Sequence, residues 1–298
     1  MKYRLLGKSS LLVSEICFGC MSLGEDQRYN SALIDHALDF GITFFDTADL
    51  YRDGENELGL GKSLSGKRKQ ALISSKVGNQ WRPDGSGWDW NPTKEYILGA
   101  AEKSLRRLKT DYIDLYQLHG GTIDDPIDET IEAFEILQQQ GKIRHYGISS
   151  IRPNVIREYV RRSGIVSVMM QYSLLDRRPE ENCLPLLIQN QIGVMARGSL
   201  AKGLLVNKPA ADYLNYKKEE VAILKGILER IEEKERTIAQ TALLFVLQQP
   251  AITTAVVGIR TMEQLLEVAK TTDCSFLSTE EMNSLQQALP VNQYDQHK

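Results

Sequence analysis

Short apolar runs, often rich in β-branched residues, recur along the chain and alternate with longer segments whose apolar residues lie three to four positions apart. Runs of this length are typical of buried parallel strands, and the longer segments are typical of amphipathic helices. The runs predict eight strands: ICFG (16–19), ITFF (42–45), ALISSKV (71–77), YIDLYQL (112–118), KIRHYGI (142–148), VSVMMQY (166–172), IGVMA (192–196) and TTAVVG (253–258). The repeating unit is therefore strand, loop, helix.

The segments between the runs predict the helices of this unit, and several of them end in the glycine that favours a helix C-terminus. The predicted helical segments include 31–41, 93–108, 127–141, 152–164, 217–234 and 237–248. Eight units in 298 residues give about 37 residues per unit, which is close to a (β/α)8 TIM barrel with some insertions. We therefore predict a single barrel domain over residues 1–298.

A doubly wound parallel sheet is the alternative fold for the same alternation. Such a sheet ordinarily binds a dinucleotide through GxGxxG after its first strand. The segment after the first predicted strand, in ICFGCMSLGE, lacks that spacing. The barrel is therefore preferred.

Two loops exceed what a minimal barrel needs. Residues 78–93 (GNQWRPDGSGWDWNPT) follow the third strand and hold all three tryptophans, and residues 201–216 follow the seventh. Both leave C-terminal strand ends, where barrel enzymes keep their active sites. The tryptophans would either pack the first loop down or line a substrate pocket.

The charge composition limits the classes of partner that the protein is expected to bind. With 36 basic and 39 acidic side chains the net charge is −3, which argues against broad binding to nucleic acid or anionic membrane. No apolar run reaches membrane-spanning length, and charges and serines interrupt the N-terminus, so a cytoplasmic location is expected. A monomer is the default expectation.

The four cysteines are scattered and are expected to be reduced thiols. Cys17 and Cys20 form a C-x-x-C motif, which could indicate metal or redox chemistry. No second cysteine pair lies nearby in sequence, and alternation along a strand would point the two thiols to opposite faces. No metal is therefore predicted.

Candidate chemistry lies where the predicted strands end. Asp46 and Tyr51 follow the second strand, Lys76 lies near the end of the third, and His119 follows the fourth. Taken singly, each has an ordinary structural explanation, such as a helix cap, a rim residue, a snorkelling lysine or a structural histidine. Because strand ends converge on one mouth of a barrel, we predict that the four side chains meet there.

These four residue types suit proton donation to a carbonyl oxygen. A tyrosine, with an ordinary pKa near 10, is a poor donor at pH 7 unless a cation stabilises its phenolate. Lys76 could supply that charge, and Asp46 could keep the lysine protonated, since a unit pair about 4 Å apart interacts by roughly 4 kcal/mol at an effective dielectric of about 20. His119 would orient the reacting oxygen.

The same site lacks an evident nucleophile or electron source, so a hydride cofactor is implied. Schiff-base chemistry at Lys76 is an alternative. It would require a neutral lysine, and Asp46 works against that.

Seven motifs in order along the chain resemble the aldo-keto reductase superfamily. They are FDTADLY (45–51), SSKVG (74–78), DLYQLH (114–119), GISS (147–150), QYSLL (171–175), SLAKGLL (199–205) and VVGIRTMEQLLE (256–267). The opening, residues 2–24, is similar to the bacterial branch that includes relatives of potassium-channel β subunits and general-stress aldo-keto reductases.

The resemblance implies an NADP(H)-dependent carbonyl reductase with Tyr51 as general acid, Lys76 and Asp46 tuning it, and His119 positioning the carbonyl. It assigns cofactor contacts to Cys20, Met21, Asp46, Ser149, Ser150, Gln171, Arg197, Gly198, Ser199, Leu200, Ala201, Lys202, Lys208, Gly258, Ile259, Arg260, Gln264 and Glu267. Within this set, Ser149, Ser150 and Gln171 would hold the carboxamide, residues 197–202 with Lys208 the pyrophosphate, and residues 258–267 the adenosine end. The small carbonyl substrate would contact Met21, Tyr51, Trp81 and His119.

Arg260 follows the last predicted strand, where barrels favour phosphate, and a guanidinium binds phosphate bidentately. It thus indicates NADP rather than NAD, although it could instead pair with a helix carboxylate. Three residues depart from the family pattern. Ser150 and Val268 replace asparagines, and Arg197 replaces an aromatic residue and could stack on the nicotinamide or bind phosphate.

The expected function is reduction of aldehydes or ketones to alcohols. The chain after residue 270 is short, and in this family that segment often closes over the substrate. We therefore expect an open pocket, formed in part by the loop at 84–92, with broad specificity that includes reactive aldehydes. The alternative is an NADP(H)-bound sensor or regulatory subunit with little turnover.

Overall fold

The computed structural model of the chain describes residues 1–232 and 236–298. Its strands are β1 Tyr3–Leu5, β2 Leu12–Ser14, β3 Ile16–Gly19, β4 Phe44–Asp46, β5 Leu72–Val77, β6 Asn79–Trp81, β7 Trp88–Trp90, β8 Ile113–Leu118, β9 Ile143–Ser149, β10 Ser167–Gln171, β11 Gly193–Arg197 and β12 Ile252–Gly258. Eight of them close into a parallel barrel in the order β3, β4, β5, β8, β9, β10, β11, β12. These eight are the predicted strands, so the single-domain (β/α)8 fold is confirmed.

Helices connect and surround the barrel strands. They are α1 Gln27–Asp39, α2 Glu55–Ser63, α3 Lys94–Leu108, α4 Ile127–Gln139, α5 Pro153–Arg162, α6 Cys183–Gln189, α7 Lys218–Glu232, α8 Ile238–Leu247, α9 Met262–Ala269 and α10 Thr279–Gln287. Short 3-10 helices span Cys20–Ser22, Arg68–Gln70, Arg178–Glu180, Ala201–Gly203 and Lys270–Asp273. All six predicted helical segments correspond to helices, although residues 233 and 234 of one segment lie outside the described residues.

Alternation along the barrel strands separates two apolar layers. Cys17 and Phe44 face an inner cluster, whereas their neighbours Phe18 and Phe45 face the outer core and stack on each other with ring centroids 5.8 Å apart. This is the two-residue period of a strand. Burying a large apolar side chain stabilises the fold by about 1.5–3 kcal/mol.

An N-terminal hairpin, β1 with β2, packs against the inner layer. Leu6, Leu11 and Val13 belong to the inner cluster, together with Leu115 and Met195 from barrel strands. The two strands pair in an antiparallel register that joins Leu5 with Leu12. The hairpin was not predicted, because each of its strands has only three residues and the segment does not read as an apolar run.

The helix α2 also escaped prediction, since its sequence ENELGLGKS has a weak apolar pattern and two glycines. The packing of α2 against α3 requires a glycine at Gly61. A Cβ atom at this position would lie 2.6 Å from the backbone carbonyl of Leu108, the last residue of α3. The glycine therefore permits a close approach of α2 to α3, which a propensity argument does not detect.

The predicted loop 78–93 is partly regular. Strands β6 and β7 form an antiparallel hairpin that pairs Trp81 with Trp88. In the second long loop, Tyr213 and Tyr216 form an isolated antiparallel bridge. Among the described helices, none combines the length and apolar character needed to cross a membrane.

Candidate active site

Four side chains that the sequence predicted to meet do meet at the C-terminal mouth of the barrel. The ammonium of Lys76, on β5, donates to Asp46 Oδ2 at 2.6 Å, to the Thr47 carbonyl at 2.8 Å and to Tyr51 Oη at 3.2 Å. The ring of His119 lies edge-on to that of Tyr51, with centroids 5.7 Å apart. Lys76 therefore links the carboxylate to the phenol.

Two further residues, Ser74 and Gln117, hold the carboxylate in place. Ser74 Oγ donates to Asp46 Oδ1 at 2.9 Å and accepts from Gln117 Nε2 at 2.8 Å. The sequence reasoning did not single them out. A usable signal was present, because each precedes a predicted site residue, Lys76 or His119, by two positions and so shares its face of the barrel.

In the buried Lys76–Asp46 pair, burial and the opposite charge shift each pKa in opposite directions. Burial lowers the pKa of the Lys76 ammonium, but the Asp46 charge and the bonds to Asp46 and Tyr51 outweigh it and raise that pKa. Burial raises the pKa of the Asp46 carboxyl, and Lys76 and Ser74 oppose this rise. Because three oxygen acceptors surround the ammonium, we treat the pair as ionised at neutral pH.

The loop carrying Tyr51 has an unusual backbone. Arg52, Asp53 and Gly54 have φ values of 54°, 51° and 82°, so three consecutive residues lie in the left-handed region. For the two residues other than glycine this conformation is strained and needs support from its surroundings. One support is the indole of Trp81, which donates to the carbonyl of Leu50 at 3.2 Å.

His119 is a neutral imidazole at physiological pH. Burial, followed by the charges of Lys76 and Arg197, lowers its pKa to about 3. Its backbone amide donates to the Val77 carbonyl at 2.7 Å, whereas its buried Nδ1 has no hydrogen-bond partner among the described residues. The backbone is therefore fixed, and the ring, edge-on to Tyr51, can hydrogen-bond a substrate oxygen without carrying a charge.

Gln171 and Arg197 are the paired end residues of the neighbouring strands β10 and β11. Arg197 Nη1 donates to Gln171 Oε1 at 3.3 Å, and Gln171 Nε2 donates to Tyr213 Oη at 2.9 Å. Ser149 is the last residue of β9. The hydroxyl of Ser150 accepts from the amide of Arg152 at 3.2 Å, so it already supports a turn.

The segment after β11 forms a tight backbone turn. Gly198, Ala201, Lys202 and Gly203 all have positive φ values, from 46° to 88°. The hydroxyl of Ser199 is buried and has no partner within the described parts of the chain. Left-handed turns gather amide groups that bind anions, so the segment suits a phosphate. Among the predicted contacts, Leu200 is part-buried, and both Lys202 and Lys208 are exposed.

The loop after β12 leads into α9, whose N-terminus is capped by Thr261. The amide of Arg260 donates to Gln264 Oε1 at 2.9 Å. Within residues 1–232 and 236–298, the Arg260 guanidinium has no ion-pair partner. The alternative role predicted for Arg260, an ion pair with a helix carboxylate, therefore has no support among these residues. Among the predicted contacts, Gly258 is exposed, Glu267 is part-buried and Ile259 is buried. Val268 is buried in the core.

The two residues after β3 differ in accessibility. The Cys20 side chain is fully buried, and Met21 is 65% exposed. Burial raises the pKa of Cys20, and that of Cys17 as well. A buried thiol with a raised pKa is neither accessible nor a thiolate, so neither cysteine is placed to react with electrophiles.

The three tryptophans have different surroundings, and one of them shows the predicted packing role. Trp90 donates to Asp125 Oδ1 at 2.9 Å, and a Cβ atom built on Gly78 would lie 2.6 Å from its ring. Trp90 therefore packs the loop down. Trp81 supports the Tyr51 loop, and Trp88 is 47% exposed.

A comparison with models of protein families identifies the class of protein to which this fold, with Asp46, Tyr51, Lys76 and His119 at the barrel mouth, belongs. The model of the aldo/keto reductase family matches residues 15–290, and the chain belongs to this family of oxidoreductases.

Relatives match the chain over most of its length. The chain is 47% identical to the uncharacterized oxidoreductase YqkF of Bacillus subtilis, with 100% of both chains covered. It superposes on the holo form of aldo-keto reductase AKR11C1 from Bacillus halodurans with a TM-score of 0.95, at 48% identity, covering 100% of this chain and 99% of that one. A Schizosaccharomyces pombe relative, the aldo-keto reductase yakc, designated NADP(+), is 32% identical over 65% of this chain and 60% of its own.

Proposed function

We propose that the protein is an NADPH-dependent reductase that converts aldehydes or ketones to alcohols, with Tyr51 as the general acid. The observation that carries the proposal is the position of the Lys76 ammonium, which bonds the Asp46 carboxylate and the Tyr51 hydroxyl together. A fixed cation at the phenol stabilises the phenolate that remains when the proton is given up.

Proton transfer follows from this geometry. When bound, the nicotinamide supplies a hydride to the carbonyl carbon, and the carbonyl π electrons move to oxygen. Tyr51 Oη donates its proton to that oxygen, Lys76 stabilises the phenolate, and neutral His119 orients the oxygen by a hydrogen bond. Solvent then returns a proton to Tyr51.

The residues present fit the cofactor. The buried Ser199 hydroxyl, which has no partner among the described residues, lies within a turn of left-handed residues, which suits a pyrophosphate. The Arg260 guanidinium lies beside the N-terminus of α9, has no ion-pair partner within residues 1–232 and 236–298, and suits the 2′-phosphate. Gln171 and Ser149, the last residues of the neighbouring strands β10 and β9, would hold the carboxamide. The NADP(+) designation of the fission-yeast relative also supports this choice.

The function is tested by following NADPH oxidation with a panel of aldehydes and ketones, with NADH run in parallel. We expect turnover with several aldehydes and a preference for NADPH. One aldehyde preferred over all others by several orders of magnitude would contradict broad specificity. Tight NADPH binding without turnover on any carbonyl compound would favour a sensor or regulatory subunit.

The cofactor preference is expected to depend on Arg260. Arg260→Met should weaken NADPH binding by about tenfold to a hundredfold, because a hydrogen bond to a charged group contributes about 1.5–3 kcal/mol. NADH affinity should stay within about twofold, since NADH has no 2′-phosphate. Isothermal titration calorimetry measures both dissociation constants.

The matched control is Arg161→Met, because Arg161 lies on the exposed face of α5 and pairs with Glu158. It should change neither affinity. Equal weakening of NADPH and NADH binding by Arg260→Met would contradict a 2′-phosphate contact.

A further inference from the structure

The Gln171 side chain is bonded at both ends of its amide, and one of the partners, Tyr213, was not among the predicted site residues. Arg197 donates to the amide oxygen, and the amide nitrogen donates to Tyr213 Oη. Arginine has donors only, so it selects the oxygen end. The Tyr213 hydroxyl can accept from the nitrogen end. The two contacts together define which way the amide faces.

Tyr213 is itself held firmly. Its backbone exchanges two hydrogen bonds of 3.0 Å with Tyr216, and Tyr216 Oη donates to the carbonyl of Pro290 at 2.7 Å. Asp212 Oδ1 accepts from the amide of Lys218 at the start of α7. The loop therefore presents the Tyr213 phenol to Gln171 from a fixed backbone position.

The orientation of Gln171 matters because its expected ligand is also an amide. A primary carboxamide offers one acceptor oxygen and one donor nitrogen, and it pairs with a glutamine only when donor faces acceptor. With Arg197 and Tyr213 in place, one N–H and one lone pair of Gln171 stay available in a defined arrangement. Without the Tyr213 hydroxyl, the nitrogen end loses its anchor, and the orientation of the amide then depends on the longer Arg197 contact at the oxygen end.

We propose that Tyr213 is a positioning residue for the nicotinamide carboxamide and acts through Gln171. This inference rests on the proposed function, because it needs a nicotinamide cofactor bound at Gln171. The role is specific to one end of the cofactor. The adenosine end should not sense Tyr213.

The test is Tyr213→Phe, which removes the hydroxyl and keeps the ring. We expect the Kd for NADPH to rise about three- to tenfold, the effect of losing one hydrogen bond. The Kd for 2′,5′-ADP, which has the adenosine end without nicotinamide, should not change. Both are measured by isothermal titration calorimetry.

Tyr3→Phe is the matched control, since it also removes a single tyrosine hydroxyl, one that donates to the Gly41 carbonyl and has no part in holding Tyr213 or Gln171. It should leave both dissociation constants unchanged. In a Gln171→Leu background, Tyr213→Phe should add no further loss for NADPH, because the coupled partner is already absent.

The outcomes separate this proposal from the function on which it rests. Unchanged NADPH binding in Tyr213→Phe, equal weakening of NADPH and 2′,5′-ADP, or an undiminished effect in the Gln171→Leu background would each overturn the role of Tyr213 alone. Wild-type protein that does not bind NADPH would overturn the proposed function and this inference together.

Discussion

Tyr51→Phe is expected to lower kcat for aldehyde reduction by about 10²- to 10⁴-fold, the range that general acid catalysis contributes. The variant keeps the ring that lies edge-on to His119 and removes the hydroxyl to which Lys76 donates. NADPH affinity should change little, because the lost hydroxyl acts on the substrate oxygen. Steady-state turnover and calorimetric NADPH binding, measured side by side, give the two quantities.

Tyr3→Phe is the matched control for this variant. The hydroxyl of Tyr3, on β1, donates to the carbonyl of Gly41 in the turn before β4, away from the barrel mouth. The Tyr3→Phe variant should leave kcat unchanged. A Tyr51→Phe protein that keeps more than about a tenth of the wild-type kcat would show that the proton comes from another group.

Lys76→Met is expected to reduce both stability and turnover. The Lys76–Asp46 pair is buried, with side-chain exposures of 1% and 5%, and removing one partner of such a pair costs about 3–5 kcal/mol in the free energy of unfolding. Turnover should fall by about 10²-fold or more, because the phenolate loses its stabilising cation. Chemical denaturation and steady-state kinetics measure the two effects.

A second substitution separates the two effects of Lys76→Met. Adding Asp46→Asn removes the uncompensated buried charge, so most of the lost stability should return while turnover stays low. Lys67→Met is the control, because Lys67 pairs with Asp35 at a half-exposed site, where an ion pair contributes about 0–1 kcal/mol. Restored turnover in the double variant would contradict a role for the Lys76 charge in catalysis.

The barrel could be predicted from sequence because each strand is a buried run whose period differs from that of the helices. The mouth could be predicted because Asp46, Tyr51, Lys76 and His119 follow or end such runs. Both inferences use only local pattern and the rule that parallel strand ends converge.

The remaining features depend on contacts between distant segments. The support of Asp46 by Ser74 and Gln117 needs the register of three strands, and the Tyr213 contact with Gln171 joins residues 42 positions apart. The burial of Cys20 depends on how the turn after β3 packs. The two-residue period of the strands places Ser74 and Gln117 on the inner face but does not give their contacts, and the Tyr213 contact and the burial of Cys20 leave no periodic signal in the sequence.

Hydride transfer to a carbonyl carbon is the central claim, and isotope transfer tests it most directly. The protein is mixed with an aldehyde and NADPH that carries deuterium at the transferring position of the nicotinamide, and the product is analysed by mass spectrometry. The account predicts an alcohol with one deuterium on its carbinol carbon, formed by wild-type protein and nearly absent with Tyr51→Phe. An unlabelled alcohol, or no alcohol with any aldehyde tested, would contradict it.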